Sequence, residues 1–406
     1  MGIYLNPGNE NFRSILAADI YVDKTMMISV TNRFIDKGNK YICISRPRRF
    51  GKTIASEMLS AYYSKGCDSR ALFDGLNIGT QNDYTDKLNK YNVIKIDLNS
   101  EYQNTDDKLH LIKILSEKVK TEMKKTFPEV EISDSDTLAE CILNTYATTG
   151  ETFIMIIDEY DVLVREQVDQ ELFEKYLSFL NGLFKSATLR PAISLAYLTG
   201  ILPVVRDKIQ SKLNNFEEYT IIKAYELTDY IGFSDDEVKG LCDKYGMDYK
   251  ECKSWYDGYT QNGKEIYNPE SVVKSMIRGE YSSYWGKTST YEAIVDRIRQ
   301  NLSGTRDAVI KMLAGEEVDV NITRYMNTMK SFTSRSDIFT YLIHIGYLAY
   351  NEEGKLTFKA QEKTEDAQSG FCFPLMHEIA VDNRPAHGEP EHEEGRHEEE
   401  GGCEAD

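Results

Sequence analysis

The run Tyr41-Ile42-Cys43-Ile44-Ser45 is short, apolar and partly β-branched, and it leads through Arg46-Pro47-Arg48-Arg49-Phe50 into Gly51-Lys52-Thr53. From Ile54 to Ser64 the apolar residues Ile54, Met58, Leu59 and Tyr62 return at helical spacing. Strand, loop and helix in this order confine the chain. The loop must turn at the carboxyl end of a strand, and the helix must begin with its free backbone N–H groups facing the turn. Free N–H groups, a lysine ammonium and a threonine hydroxyl in one turn suit a polyphosphate and a divalent cation. The strict pattern Gly-x-x-x-x-Gly-Lys-Ser/Thr would begin with glycine at position 46, where this chain has Arg46. Gly-Lys-Thr alone also starts ordinary helices, so the reading needs an acidic strand end elsewhere.

Such an end stands at Phe153-Ile154-Met155-Ile156-Ile157-Asp158-Glu159. Asp158 at the strand tip is expected to hold Mg2+ through its water shell, and Glu159 to polarise an attacking water as general base. The alternative is a strand end followed by a helix cap, since Asp161 and Glu166 lie close by. A third strand, Ser194–Thr199, ends in Thr199 before Gly200, which suits a polar contact near a γ-phosphate. Lys52, Glu159 and Thr199 are therefore the expected catalytic residues. Arg48, Arg49, Phe50, Gly51, Lys52 and Thr53 are expected to bind ATP, and Thr53 and Asp158 to hold Mg2+. Arg206 could meet the γ-phosphate in its own chain or a neighbour's, or pair with Asp207. Arg46, Arg48 and Arg49 set three cations beside the nucleotide, where they could stabilise phosphate charge or bind an acidic lid.

The rest of the chain sets these segments in an α/β order. Strands are expected at Asn92–Leu98 and Tyr219–Lys223, and helices after Asp106-Asp107, from Asp136 to Thr149 before Gly150, and around Leu172–Phe184. Past Tyr225 the pattern changes to helices separated by turns. A late helix, Asp337–Ile345, precedes an alternating stretch, Tyr347–Phe358, that reads as a hairpin. The expectation is a P-loop core with a mainly parallel sheet at 1–225, a mostly helical lid with a winged-helix-like end at 226–360, and a linker with an acidic tail at 361–406. With 406 residues, both parts are large enough to bury a core. Residues 385–406 hold nine acids and one arginine, so much of the formal charge of −18 is local. The acidic remainder disfavours strong non-specific nucleic-acid binding, though a local basic groove survives as an option. His387, His392 and His397 in the tail are spaced unlike a zinc site. Seven scattered cysteines without a Cys-x-x-Cys pair point to reduced, mostly buried thiols. No apolar run approaches the roughly 20 residues of a membrane span, and no leader is evident, so a cytoplasmic place is expected.

The segments Tyr21-Val22-Asp23-Lys24-Thr25, Arg46 to Thr53, Ile157-Asp158-Glu159-Tyr160-Asp161 and Leu198-Thr199-Gly200 form a specific set. Leu213-Asn214-Asn215, Gly232-Phe233 with Glu237-Val238, Trp255-Tyr256-Asp257-Gly258-Tyr259, Tyr267-Asn268-Pro269 and Tyr284-Trp285 extend it. On these residues the chain resembles the bacterial AAA-ATPase-like proteins, which are often fused to a C-terminal PD-(D/E)XK nuclease-like domain. The resemblance spans roughly residues 10 to 350, and in that family Arg46 in place of the first glycine is usual. It implies an additional-strand P-loop ATPase with a helical lid. For the nuclease part, Glu353-Gly354-Lys355 with Asp337 upstream has the right spacing, yet it reads as a hairpin tip, and after Phe371-Cys372-Phe373-Pro374 the chain runs into the acidic tail. Three functions stay open: an Mg2+-dependent ATPase acting on an unidentified protein or nucleic-acid partner, a slow nucleotide-dependent switch, and an ATP-dependent nucleic-acid remodeller. A homo-oligomer is compatible with each.

Overall fold

The computed structural model describes residues 2–204, 213–282, 284, 301–313, 316–322, 332–350 and 355–357. Five parallel strands form the central sheet: β1 (Tyr41–Ser45), β2 (Asn92–Asp97), β3 (Phe153–Asp158), β4 (Ile193–Gly200) and β5 (Glu217–Tyr219). β1, β3 and β4 are buried along their whole length, as their unbroken apolar sequences demand of a sheet covered on both faces. The order is β2-β3-β4-β1-β5. An extra strand, β4, thus separates the phosphate-loop strand from the acidic strand, which is the expected additional-strand P-loop core. Register brings Ser45 opposite Gly200 and Ile157 opposite Leu198, so the carboxyl ends of β1, β4 and β3 share one edge. Crevices at that edge are where such sheets bind ligands.

Local signals account for most boundaries. Asp97 ends β2 and caps the helix Leu98–Asn104 by accepting from the Ser100 N–H, so the strand stops one residue earlier than expected. Thr137 and Glu140 make a reciprocal cap that starts the helix Leu138–Thr149, and Gly150, at φ 74°, ends it. The fifth strand was expected at Tyr219–Lys223 but lies at Glu217–Tyr219. The Thr220 hydroxyl accepts from the Ile222 and Lys223 N–H groups, and that local turn takes the chain off the sheet. Among the described residues the five cysteines are unbridged and all but Cys67 are buried. No helix among them is long and apolar enough to cross a membrane.

The region after Tyr225 is not helices and turns alone. β6 (Phe233–Ser234), β7 (Asp257–Gln261) and β8 (Lys264–Tyr267) form an antiparallel sheet in the order β6-β8-β7, packed with the helices Asp235–Tyr245, Tyr249–Tyr256 and Pro269–Arg278. The β7–β8 turn is Asn262-Gly263, both at positive φ, a tight hairpin pair that the sequence reading passed over. This lid has its own apolar cluster, built on Phe233, Val238, Cys252, Tyr256, Tyr267 and Val272. The late helix Arg335–Ile345 instead joins the main core. It leads into β10 (Ala349–Tyr350), which pairs with β11 (Lys355–Thr357), and β11 pairs with β9 (Val318–Asp319). A helix and an antiparallel strand pair stand where the sequence led to a helix and a hairpin, and β9 adds a third strand. Glu353, Gly354, Arg206, Asp207, Trp285 and the tail lie outside the described residues.

Two predictions follow from this packing. His344, on the buried face of the late helix, is held neutral by burial and by the nearby Arg46 charge, with its pKa pushed down to about 3. The unfolded chain takes up that proton below about pH 6.5, whereas the folded one does so only near 3, so stability falls as pH drops through that window. The slope contributed is about 1.4 kcal/mol per pH unit below 6.5. Urea unfolding of the wild type and His344→Gln from pH 7 to 5 should show a flatter dependence in the variant; identical slopes would refute the assignment. Second, Gly232 sits at φ +101°, and a Cβ there would lie 2.5 Å from Ile266 Cγ2 and 3.2 Å from Phe50 Cδ1. Gly232→Ala should cost about 2 kcal/mol through backbone strain and overpacking, and a melting temperature equal to wild type would contradict this.

Candidate nucleotide site

The loop after β1 is shaped by left-handed residues. Arg49 has φ 70° and Gly51 φ 88°, and Gly51 is the N-cap of the helix Lys52–Tyr63. That helix has neither a side-chain cap nor an acid in its first turn, so its leading N–H groups are left for a ligand. Thr53 is exposed at this turn, while Lys52 is only 4% exposed. Lys52 Nζ donates to the carbonyls of Arg46 (3.0 Å) and Pro47 (2.9 Å). Burial lowers its pKa, and the carboxylates of Glu159, Asp158 and Asp161 oppose that shift.

Asp158, 2% exposed, ends β3 on the same edge. It accepts from the Glu159 N–H (3.0 Å), from Ser56 Oγ in the helix Lys52–Tyr63 (3.3 Å) and from Thr199 Oγ1 at the end of β4. Glu159 follows at φ 53°, a left-handed conformation that is uncommon outside glycine. Burial raises its carboxyl pKa, against the pull of Lys52 and Arg165. Arg165, in the short helix Val162–Arg165, donates through Nη2 to Glu159 and through Nε to Asp161 Oδ2 at 3.1 Å. Asp161 is fully buried and also accepts from the N–H groups of Ile201 (3.1 Å) and Leu202 (2.8 Å).

Lys52, Thr53, Asp158 and Glu159 line one cavity of about 930 Å3, large enough for a nucleotide. Ile15, Ile20, Val22 and Met58 from the core and Phe233 and Val273 from the lid add apolar lining. The cavity therefore lies between the phosphate-loop helix and the lid. Thr53 and Asp158 are hard oxygen donors on it and suit Mg2+, which takes few protein ligands beside phosphates and water. Arg48, Arg49, Phe50 and Gly51 line the cavity as well.

Two expected placements change. Thr199 is buried behind Asp158 and does not line the cavity; its hydroxyl holds the carboxylate. Arg46 is fully buried with Nη1 on the carbonyls of Ser45 (2.9 Å) and Tyr219 (2.8 Å) at the ends of β1 and β5, and it does not line the cavity. Its neighbours in sequence differ from it. Arg49 donates to the Tyr284 carbonyl (2.7 Å) and pairs with Glu270 of the lid (3.2 Å), which is one of the two alternatives left open for these arginines. Phe50 packs edge-on against Tyr259, 5.0 Å between centroids, and its carbonyl accepts from the Gly232 N–H.

Ser56 and Arg165 were not singled out from sequence, and Asp161, Asp23 and Lys24 were named there without a role. Ser56, Asp161 and Arg165 complete the cluster around Asp158 and Glu159. Asp161 and Arg165 stand four apart beside a strand end, a helical ion-pair spacing that could have been read. Lys24 lines the cavity and donates to Glu237 Oε2 (2.6 Å) and to the Asp229 carbonyl (2.7 Å), while Asp23 accepts from the Thr25 and Asn77 N–H groups. The Tyr21–Thr25 segment thus joins the core to the lid.

A family model described as predicted AAA-ATPase matches residues 7–210. An uncharacterized protein in the vnfD 5′ region of Azotobacter chroococcum mcd 1 is 24% identical over 311 residues, covering 73% of this chain. The match spans 56% of that relative's length. Among solved structures, the Aeropyrum pernix ORC2 protein in ADPNP–ADP complexes aligns over 90% of this chain and 97% of its own, at 10% identity and a TM-score of 0.33. Cdc6p from Pyrobaculum aerophilum aligns over 93% and 99%, at 11% identity and a TM-score of 0.32. The family match takes in the phosphate loop, the acidic strand end and Thr199-Gly200, and by it the chain belongs to the predicted AAA-ATPase family.

Proposed function

We propose that this chain binds ATP with Mg2+ in the cavity above the sheet edge, hydrolyses it, and uses the cycle to shift the lid sheet and its helices (233–278) against the core and so act on a partner. The observation that carries this reading is that Lys52 and the carboxylates of Asp158 and Glu159 face one cavity of nucleotide size. Lys52 is held meanwhile by two loop carbonyls, which are weaker partners than a phosphate. On this reading its ammonium and the free N–H groups after Gly51 take the β- and γ-phosphates, with Arg48 at the cavity wall. Thr53 and Asp158 hold Mg2+, which offsets phosphate charge. Thr199 and Ser56 keep Asp158 oriented, so Thr199 acts as a positioning residue. Glu159 accepts the proton of the attacking water. The apolar side chains in the lining suit a base. Arg49–Glu270, Lys24–Glu237 and Phe50–Tyr259 connect the loop region to the lid and support a conformational output.

The test is direct. Lys52→Ala should weaken ATP binding by about 100-fold or more, because a buried phosphate charge loses its cation. Glu159→Gln should leave ATP bound and slow phosphate release by about 100- to 10,000-fold, the usual worth of a general base. Titration calorimetry and a phosphate-release assay read the two effects; release unchanged in both variants would eliminate the proposal.

A further inference from the structure

Among the described residues, Arg165 is the one cation at the acidic cluster that the ATP reading leaves without a task. It lines the cavity with Lys52 and Asp158, and its side chain is 10% exposed. Its two partners differ in freedom. Asp161 is fully buried and pinned by the Ile201 and Leu202 N–H groups, so the Nε end of the guanidinium rests on a fixed point. Glu159 is 23% exposed at its side chain and, among the described residues, its carboxylate accepts a hydrogen bond only from Arg165. The carboxylate placed to receive a proton from water is therefore tied to a guanidinium. The guanidinium holds Oε2 and its charge makes the carboxylate a weaker base, so an anion that draws the guanidinium away makes Glu159 a better proton acceptor. The terminal phosphate of a triphosphate seated on Lys52 is such an anion, with more charge than a carboxylate and oxygens arranged for two parallel N–H bonds.

We propose that Arg165 is an in-chain ligand of the γ-phosphate: turning on its Asp161 anchor, it exchanges Glu159 for the terminal phosphate of ATP and so frees Glu159 only when a third phosphate is present. The proposal rests on the ATP reading above. A diphosphate, lacking the terminal group, leaves the Arg165–Glu159 pair closed. The site then distinguishes ATP from ADP through one side chain, without a contribution from a neighbouring subunit.

The experiment compares full-length wild type, Arg165→Ala and Arg165→Lys by calorimetric titration with Mg2+ and either ADP or a non-hydrolysable ATP analogue, together with the steady-state rate of phosphate release. In Arg165→Ala the analogue should bind about 10-fold more weakly while ADP affinity changes less than about twofold, and kcat should fall about 100- to 1,000-fold, as for loss of one charge-stabilising donor. Arg165→Lys keeps a cation beside buried Asp161 and should fold normally, yet it cannot fork between two acceptors. It should recover part of the analogue preference and remain about 10-fold slow. Equal weakening of ADP and analogue, or an unchanged or faster rate, overturns the assignment, because Arg165 would then only restrain or support Glu159. If Arg165→Ala melts early, the analogue-to-ADP ratio of Arg165→Lys decides, and a wild-type ratio with a wild-type rate overturns it. A wild-type chain that binds neither nucleotide defeats the ATP reading itself, a separate outcome.

Discussion

An ammonium that is 4% exposed has to be compensated, and Lys52 is compensated by the charges of Glu159, Asp158 and Asp161 and by the carbonyls of Arg46 and Pro47. Burying such an ion alone would cost several kcal/mol. The phosphate-loop helix and the acidic end of β3 are therefore mutually dependent: neither packs this way unless the other is present. Asp158 is in turn fixed by Ser56 from the helix and by Thr199 from β4. This gives the inserted strand a chemical reason. It carries the hydroxyl that orients the carboxylate across the gap between the two functional strands, and its following residues supply the N–H groups that hold Asp161.

The parts of this arrangement that were legible in the sequence are those with a period or a punctuation mark. β1, β2 and β3 are compact apolar runs, the helix after Gly51 repeats every three or four residues, and Asp158-Glu159 ends its run abruptly. These signals are local, and a parallel sheet turns them into a common edge. Arg46 and Thr199 were harder to place, because sequence position does not say on which side of the sheet a side chain leaves. Arg46 leaves toward β5 and finds the Tyr219 carbonyl, a partner 173 residues away in the chain. Thr199 leaves toward Asp158 and is covered by it. The lid sheet was hidden for another reason: β6 and β8 are too short to give alternation, so the Asn262-Gly263 turn was the only strong local sign of the hairpin.

The phosphate loop is packed from outside as closely as it is ordered from inside. Phe50 meets Tyr259, whose hydroxyl donates to the Gly346 carbonyl (2.9 Å). A Cβ at Gly346 would lie 2.9 Å from Pro47 Cβ, so the late helix ends directly against the loop. Arg49, in its left-handed conformation, reaches Glu270 and the Tyr284 carbonyl. Lid, late helix and loop consequently share side chains within a few residues of Lys52. On the ATP reading, a phosphate that draws Lys52 from the Arg46 and Pro47 carbonyls acts on the backbone that carries these contacts. Coupling between nucleotide and lid then needs no long route through the protein, since the residues that would sense the phosphate and those that touch the lid belong to one six-residue loop, Arg46 to Gly51, and the lysine that follows it.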